Sequence, residues 1–431
     1  MDGQRNDHLR ATTRRVAVAS LMAVVGLAAA CTSSAKQDVK SASPSGSHSS
    51  VPADSSGSPS SAKPVPGTAV ITAAAVGGAT RANPAKPVLV HVTDGKLTAV
   101  KLVNAAGKLV TGNIAADGSS WQTTEALGYS KTYKLTASAH DQAGRATVKQ
   151  ESITTLTPGN QTMPYFQNIS GDAMSAGATY GIGMVVNVDF DEAIHDKAAA
   201  EKAMTVTTTP HVNGAWYWLD DSRAHWRPQS YYAPGTKVTV NANVYGVDLG
   251  NGLYGQDDKS TSFTIGQKRV SIANAATHRV KVYFDDKQVR DMPTSMGQGG
   301  YIENGKIALW TMPGNYTVIT HENPAIMSSD SYGLPANSPY GYHGLVVPWA
   351  TKISTDGIYL HELDSTVGVQ GSQNVSHGCL NLNYTNAKWY YQHSRVGDVV
   401  QVVHSGGPKI KDWQGGDWSV PWSTWIAGGA Q

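Results

Sequence analysis

The chain has 431 residues, 40% of them apolar and 15% charged, with a formal net charge of +2. That length calls for roughly two to four domains, and the balanced charge, with no basic stripe, excludes nucleic acid and an anionic membrane surface as partners. Abundant Gly (44) and Pro (20) among many Val, Thr and Tyr point to turn-rich β-structure.

Residues 1–31 read as an export signal. Arg10, Arg14 and Arg15 precede an uncharged apolar run of 15 residues, Val16 to Ala30, too short for a comfortable membrane span. The run ends Leu27-Ala28-Ala29-Ala30-Cys31. Small residues before a Cys resemble a bacterial lipobox, which predicts a lipid on Cys31; the alternative is ordinary cleavage after Ala-x-Ala. The predicted location is extracytoplasmic, held to the cell membrane by that lipid and facing the cell wall. Residues 32–66 are rich in Ser, Ala, Pro and Gly and cannot bury enough apolar surface to order themselves, so they read as a disordered tether.

Residues 67–157 alternate as strands do. Val88–Val92, Leu97–Val103 and Thr132–Ala139 are separated by turn dipeptides such as Asp94-Gly95 and Asp117-Gly118. This spacing predicts an Ig-like β-sandwich. Residues 158–266 predict a second one, opened by Tyr180–Phe190, with further stretches at Trp216–Trp218 and Lys237–Val244. A short helix is expected over Asp196 to Met204. The turn around Asp248, Asn251 and Gly252 is a candidate structural Ca²⁺ loop, weighed against a plain Gly-rich turn because one carboxylate makes a poor cage. No other cofactor is implied.

Residues 267–403 form a third β-unit, from Arg279–Phe284 to Val399–Val403, with a helix after Asn383 or Thr385. A loop from about His321 to Pro348 is long enough to suggest a functional lid. The tail, 404–431, carries Trp413, Trp418, Trp422 and Trp425 and is expected to pack back on the protein, with carbohydrate stacking the alternative.

The chemistry concentrates at Ser376-His377-Gly378-Cys379-Leu380-Asn381. The other cysteine of the sequence, Cys31, belongs to the signal, so Cys379 is either an inert core residue or a nucleophile. A thiol attacks carbonyls as thiolate, and a histidine creates that form. His343, His361 and His377 are the candidates. His361, 18 residues before the Cys at a strand end, has the rigid support a general base needs. Gly378 permits the close approach that lets backbone N–H groups converge as an oxyanion hole.

These residues resemble the L,D-transpeptidase signature. So do Ile326–Gly333, Asn337–Tyr342, Gly368–Gly371, Gly416–Trp422 and the Tyr-Leu-His run ending at His361. The plan of lipoprotein signal, tether, two Ig-like units, catalytic unit and Trp-rich tail is similar to actinobacterial members. The resemblance implies an all-β catalytic sandwich with few short helices. It implies an enzyme that joins diaminopimelate residues of two peptidoglycan stem peptides through a Cys acyl-enzyme, releasing D-alanine. Carbapenems would be inhibitors. Cys379 would be the nucleophile and His361 the base. Tyr342 and the N–H groups of Gly378 and Cys379 would line the oxyanion site, with His377 shaping that loop. Met327, Tyr332, Asp356, Gly357, Ser376 and Asn381 would border the substrate. Glu362 departs from the family pattern, where a small residue is expected. Hydrolysis of the same bond, or wall binding without catalysis, are the competing functions.

Overall fold

The structure is a computed structural model that describes residues 68–303 and 305–430. Cys31, the signal and the tether lie outside the described residues. The described chain is mostly β, with a few short helices.

The first pair of sheets stacks Val70–Ala74, Leu89–Thr93, Ser120–Thr123 and Gly112–Ile114 against Lys96–Asn104, Thr132–His140 and Ala146–Thr154. Strand Thr132–His140 alternates exposed and buried positions along its length. Its Tyr133, Leu135, Ala137 and Ala139 therefore meet Val90, Val92 and Trp121 of the facing sheet in one core. Asp94 sits at φ 55°, the left-handed turn conformation that Asp tolerates and that the Asp-Gly dipeptide forecast.

The second pair of sheets has a heavier core. Val186, Val188 and Trp226 of one sheet pack on Val238, Val240 and Phe263 of the other. The expected helix is present as Lys197–Ala203, capped by Asp196, whose carboxylate accepts from the Ala199 N–H at 2.9 Å. In the turn read as a candidate calcium loop, Asp248 is hydrogen-bonded within the protein. Both Asp248 oxygens are taken, one by the Gly250 N–H at 3.0 Å and one by the Tyr254 hydroxyl at 2.9 Å. Among the described residues no group of three or more His, Cys, Asp or Glu converges for a metal.

The third unit joins a five-stranded sheet to a four-stranded one. The first runs Lys287–Pro293, Arg279–Phe284, Arg269–Asn274, Val399–Val403 and Gly314–Thr317 in spatial order. The second runs Thr320–Glu322, Ala350–Lys352, Tyr359–Glu362 and Leu380–Leu382. Val280, Val282, Val400 and Val402 pack on Leu360, Leu380 and Leu382 between them. The hairpin at Asp285-Asp286 has φ of 46° and 65°, the mirror-image turn that suits twisted strands. Helix Tyr384–His393, capped by Asn383, closes this core with Ala387 and Tyr390.

The segment from His321 to Pro348 is not one irregular loop. Ala325–Met327 pairs antiparallel with Leu345–Val347, and Ser329–Tyr332 forms a 3₁₀ turn between them. Scattered Gly, Pro and Ser concealed two strands of three residues each, too short for a periodicity signal.

The tail packs back across the second and third units. The Arg227 guanidinium lies over Trp418, Trp422 and Trp425 at 4.8, 5.3 and 4.4 Å from the ring centroids. Trp425 is fully buried and stacks on Tyr217 at 4.7 Å. Its indole N–H donates to the Ala215 carbonyl at 2.9 Å. His225 and Asp417 form a buried pair at 2.8 Å. The tail tryptophans Trp418, Trp422 and Trp425 are thus engaged with protein.

Candidate active site

Strands Tyr359–Glu362 and Leu380–Leu382 lie side by side and parallel, with Leu360 opposite Leu380 and His361 opposite Asn381. This register carries Cys379, one residue ahead of its strand, alongside the strand that holds His361. A parallel pair needs a long connection, and here residues 363–379 supply it.

His361 is 2% exposed. Its Nδ1 lies 2.8 Å from the carbonyl oxygen of Glu362. A carbonyl only accepts, so Nδ1 carries the proton and Nε2 keeps its lone pair. Burial pushes the imidazole down to about 4, partly offset by that carbonyl. The acceptor is main chain, so the unexpected Glu362 side chain takes no part in orienting the imidazole.

Cys379 is half-buried and packs against Met327, Val347 and Tyr359. Burial pushes its thiol up to about 12, and the carboxylate of Asp356 adds to the rise. The Sγ–H donates to the Gly357 carbonyl at 3.4 Å. Gly357 can present that carbonyl because it sits at φ 99°, which a side chain would oppose. Ser354 braces the turn: its Oγ accepts from the Ile358 N–H at 2.9 Å and donates to Asp356 at 2.5 Å. Among the described residues no hydrogen bond joins Cys379 to His361. The resting pair is a neutral thiol and a neutral imidazole.

The loop before Cys379 is fastened from within. Ser376 Oγ donates to the Cys379 carbonyl at 2.6 Å and accepts from the Gly378 N–H at 3.1 Å. The Gly378 carbonyl accepts from Thr311 Oγ1 at 2.7 Å. The Gly378 N–H is therefore spent inside the loop and does not face a substrate, contrary to the expectation for it. The Cys379 N–H takes no partner among the described residues and remains available. Gly378 stands at φ 146°, a conformation reserved for glycine.

Two phenols complete the surroundings of the thiol. Tyr342 lies 6.3 Å from Tyr332 and 5.6 Å from the His377 ring, centroid to centroid. Burial, and then the nearby Cys379, push the Tyr342 hydroxyl far above its usual range, so it stays a donor. Tyr332 OH and His377 Nε2 are buried with no hydrogen-bond partner.

A groove of about 260 Å³ runs past Cys379. Tyr332, Tyr342, Asp356, Gly357, His377 and Gly378 line it with Cys379. Met327, Ser376 and Asn381 do not. Met327 is core behind the thiol, Ser376 ties the loop, and Asn381 is a buried strand residue whose backbone pairs with Ser295. The opposite wall was not anticipated. It comes from Lys306, Trp310 and the tail residues Lys409, Lys411, Trp413 and Gln414. Gln414 donates to Asp356 at 2.5 Å and so fixes one groove residue from the tail.

A buried histidine with one nitrogen tied and one free, sharing a sheet with a cysteine at a groove wall, defines an acyl-transfer enzyme of the cysteine class. The comparisons with known proteins are more specific. Residues 268–402 match the L,D-transpeptidase catalytic domain, and 79–248 match a bacterial Ig domain. L,D-transpeptidase 2 of Mycobacterium tuberculosis (strain CDC 1551 / Oshkosh) is 42% identical over 84% of this chain and 85% of its own length. L,D-transpeptidase 5 of M. tuberculosis (strain H37Rv) is 37% identical over 80% and 73%. A solved LD transpeptidase in complex with imipenem superimposes with a TM-score of 0.45, at 28% identity over 53% of this chain and 95% of its own. The chain belongs to the L,D-transpeptidase family and is an L,D-transpeptidase.

Proposed function

We propose that Cys379 is the nucleophile and His361 its base in the transfer of an acyl group between peptidoglycan stem peptides. The observation that carries this is the parallel register of the two short strands, with His361 Nδ1 committed to Glu362. The thiol hydrogen swings from Gly357 to His361 Nε2 as Sγ forms its bond to the diaminopimelate–D-alanine carbonyl. The oxyanion takes hydrogen bonds from the Cys379 N–H and the Tyr342 hydroxyl. Collapse breaks the C–N bond, the imidazolium returns its proton to the departing D-alanine amine, and a thioester remains. The side-chain amine of a second stem attacks that thioester. His361 takes the amine proton and passes it to the leaving thiolate. The cross-link is thereby made and the thiol restored.

A neutral resting pair suits this sequence, because charge then develops only when substrate is in place. Carbapenems enter the same scheme as acyl donors that Cys379 opens. Cys31 carries the lipid that holds the enzyme at the outer face of the cell membrane. The Asp356–Gln414 contact sets the floor of the donor groove.

The deciding experiment incubates the purified enzyme with a stem tetrapeptide. Cross-linked dimers with release of D-alanine are expected. Free tripeptide as the main product would mean hydrolysis, and no turnover would leave only wall binding.

A further inference from the structure

Three lysines stand on the groove wall with no acidic partner. Lys306, Lys409 and Lys411 all line it, and none forms a salt bridge among the described residues. The lone carboxylate of the lining, Asp356, is already occupied on one oxygen by Ser354 and on the other by Gln414. The groove is therefore cationic in a protein of nearly balanced charge.

The backbone fixes two of these lysines on one face. Ile410 lies between them, 5% exposed and packed into the third core, with its N–H on the Pro313 carbonyl at 3.2 Å. Lys411 is extended at φ −91° and ψ 160°. In extended chain residues two apart point the same way. With Ile410 turned inward, Lys409 and Lys411 both turn out to the groove. The Lys411 N–H donates to Gln414 Oε1 at 2.9 Å, so the same glutamine that holds Asp356 holds the lysine backbone. Lys306 comes from an unrelated hairpin, between Tyr301–Ile302 and Ile307–Ala308. The two segments meet over Trp310, against which Tyr301 lies edge-on at 4.9 Å and Gly407 packs without room for a side chain.

We propose that Lys306, Lys409 and Lys411 form a carboxylate-reading rim that selects stem peptides by their free carboxylates and disfavours the carboxamides. This rests on the stem-peptide reading above. Solvated lysines bind a carboxylate as point charges without a fixed fork, so the rim sets affinity rather than the chemical step. The anionic group is a carboxylate of the donor stem, either the terminal D-alanine carboxylate or the side-chain carboxylate of diaminopimelate.

The test uses the whole enzyme and three synthetic donors: the free acid, and the same peptide amidated at one or the other carboxylate. The wild type is expected to show a higher KM for one amide, and that amide identifies the group that is read. Lys409→Ala/Lys411→Ala is expected to raise KM for the free acid about tenfold and to erase most of the difference between acid and that amide. Lys409→Arg/Lys411→Arg, which keeps the charge, should restore the preference. Added salt should raise KM for the free acid more steeply in the wild type than in the alanine variant. Alkylation of Cys379 by iodoacetamide at the wild-type rate shows that the variant has kept its site. Equal discrimination in wild type and alanine variant, with dimers still formed, overturns the rim alone. Failure of the wild type to act on any of the three overturns the stem-peptide reading instead.

Discussion

His361 gives its Nδ1 proton to the carbonyl of Glu362, the next residue in its own strand, at 2.8 Å. The imidazole is thus oriented by main chain, where many cysteine enzymes use a third side chain. His361→Ala should lower the rate of acyl-enzyme formation about 10²- to 10⁴-fold, read by mass spectrometry of the thioester. Glu362→Ser should leave that rate within about twofold, because the carbonyl remains. It should also not lower the melting temperature, since one Glu362 carboxylate oxygen is buried without a partner and burial already raises its pKa. A large loss of rate in Glu362→Ser would assign the side chain a role that the geometry does not.

The neutral thiol and neutral imidazole make a prediction about pH. Burial holds the thiol up at about 12 and the imidazole down at about 4. Alkylation of free Cys379 by iodoacetamide should therefore climb about tenfold per pH unit from neutrality upward. A preformed thiolate–imidazolium pair would instead give a plateau from mildly acidic to neutral pH. Measuring the rate from pH 5 to 10 separates the two.

Asp398 offers a second pH dependence, this time of stability. It is 3% exposed, next to Val399–Val403, and burial raises its carboxyl to about 7, with Arg269 4.0 Å away opposing the rise. A raised folded value means that the native state holds the proton longer than the unfolded chain. The contribution is complete below the unfolded value of 3.8 and is lost as pH rises toward 7. His361 acts in the opposite sense, costing stability as pH falls from 6.5 toward 4. Asp398→Asn removes the first effect alone. Melting curves from pH 4 to 9 should show the variant gaining on the wild type as pH passes through 4 to 7. A constant offset across that range would refute the assignment.

Gly378→Ala tests the loop that carries the thiol. A Cβ there would lie 3.5 Å from the Trp310 carbonyl, an ordinary contact, so space is not the obstacle. The φ of 146° is. Strain of about 1–3 kcal/mol is expected, and relief of it would rotate the Cys379 N–H. Turnover should fall further than denaturation stability does. Equal, small effects on both would show the N–H to be dispensable.

Trp425→Ala tests the tail. The side chain is fully buried on Tyr217 under the Arg227 guanidinium, so a loss of about 3–5 kcal/mol is expected in chemical denaturation. Restored stability in Trp425→Phe, which keeps a stacking ring, would separate packing from the lost hydrogen bond to Ala215.

Much of this was legible in the residues. Alternation gave strands such as Thr132–His140, Asp196 marked a helix start, and a cysteine with a glycine before it marked the site. The roles of Met327, Ser376 and Asn381 were not legible, because a motif records which residues recur and not which way they face. Asn381 lies in a strand buried on both sides, where alternation carries no information. The Gly378 N–H could not be read either, since only the fold shows that Ser376 Oγ consumes it. The tail's contribution to the groove depends on contacts across about a hundred residues, such as Gln414 with Met312 and Asn315 with Ser419. Composition forecast that the tryptophans would be covered and said nothing of the lysines beside them.

The wall built by Lys409, Lys411 and Gln414 follows the catalytic sheet in chain order. A chain cut back from its C-terminus to residue 404 would therefore lose that side of the groove while keeping every strand of the third unit.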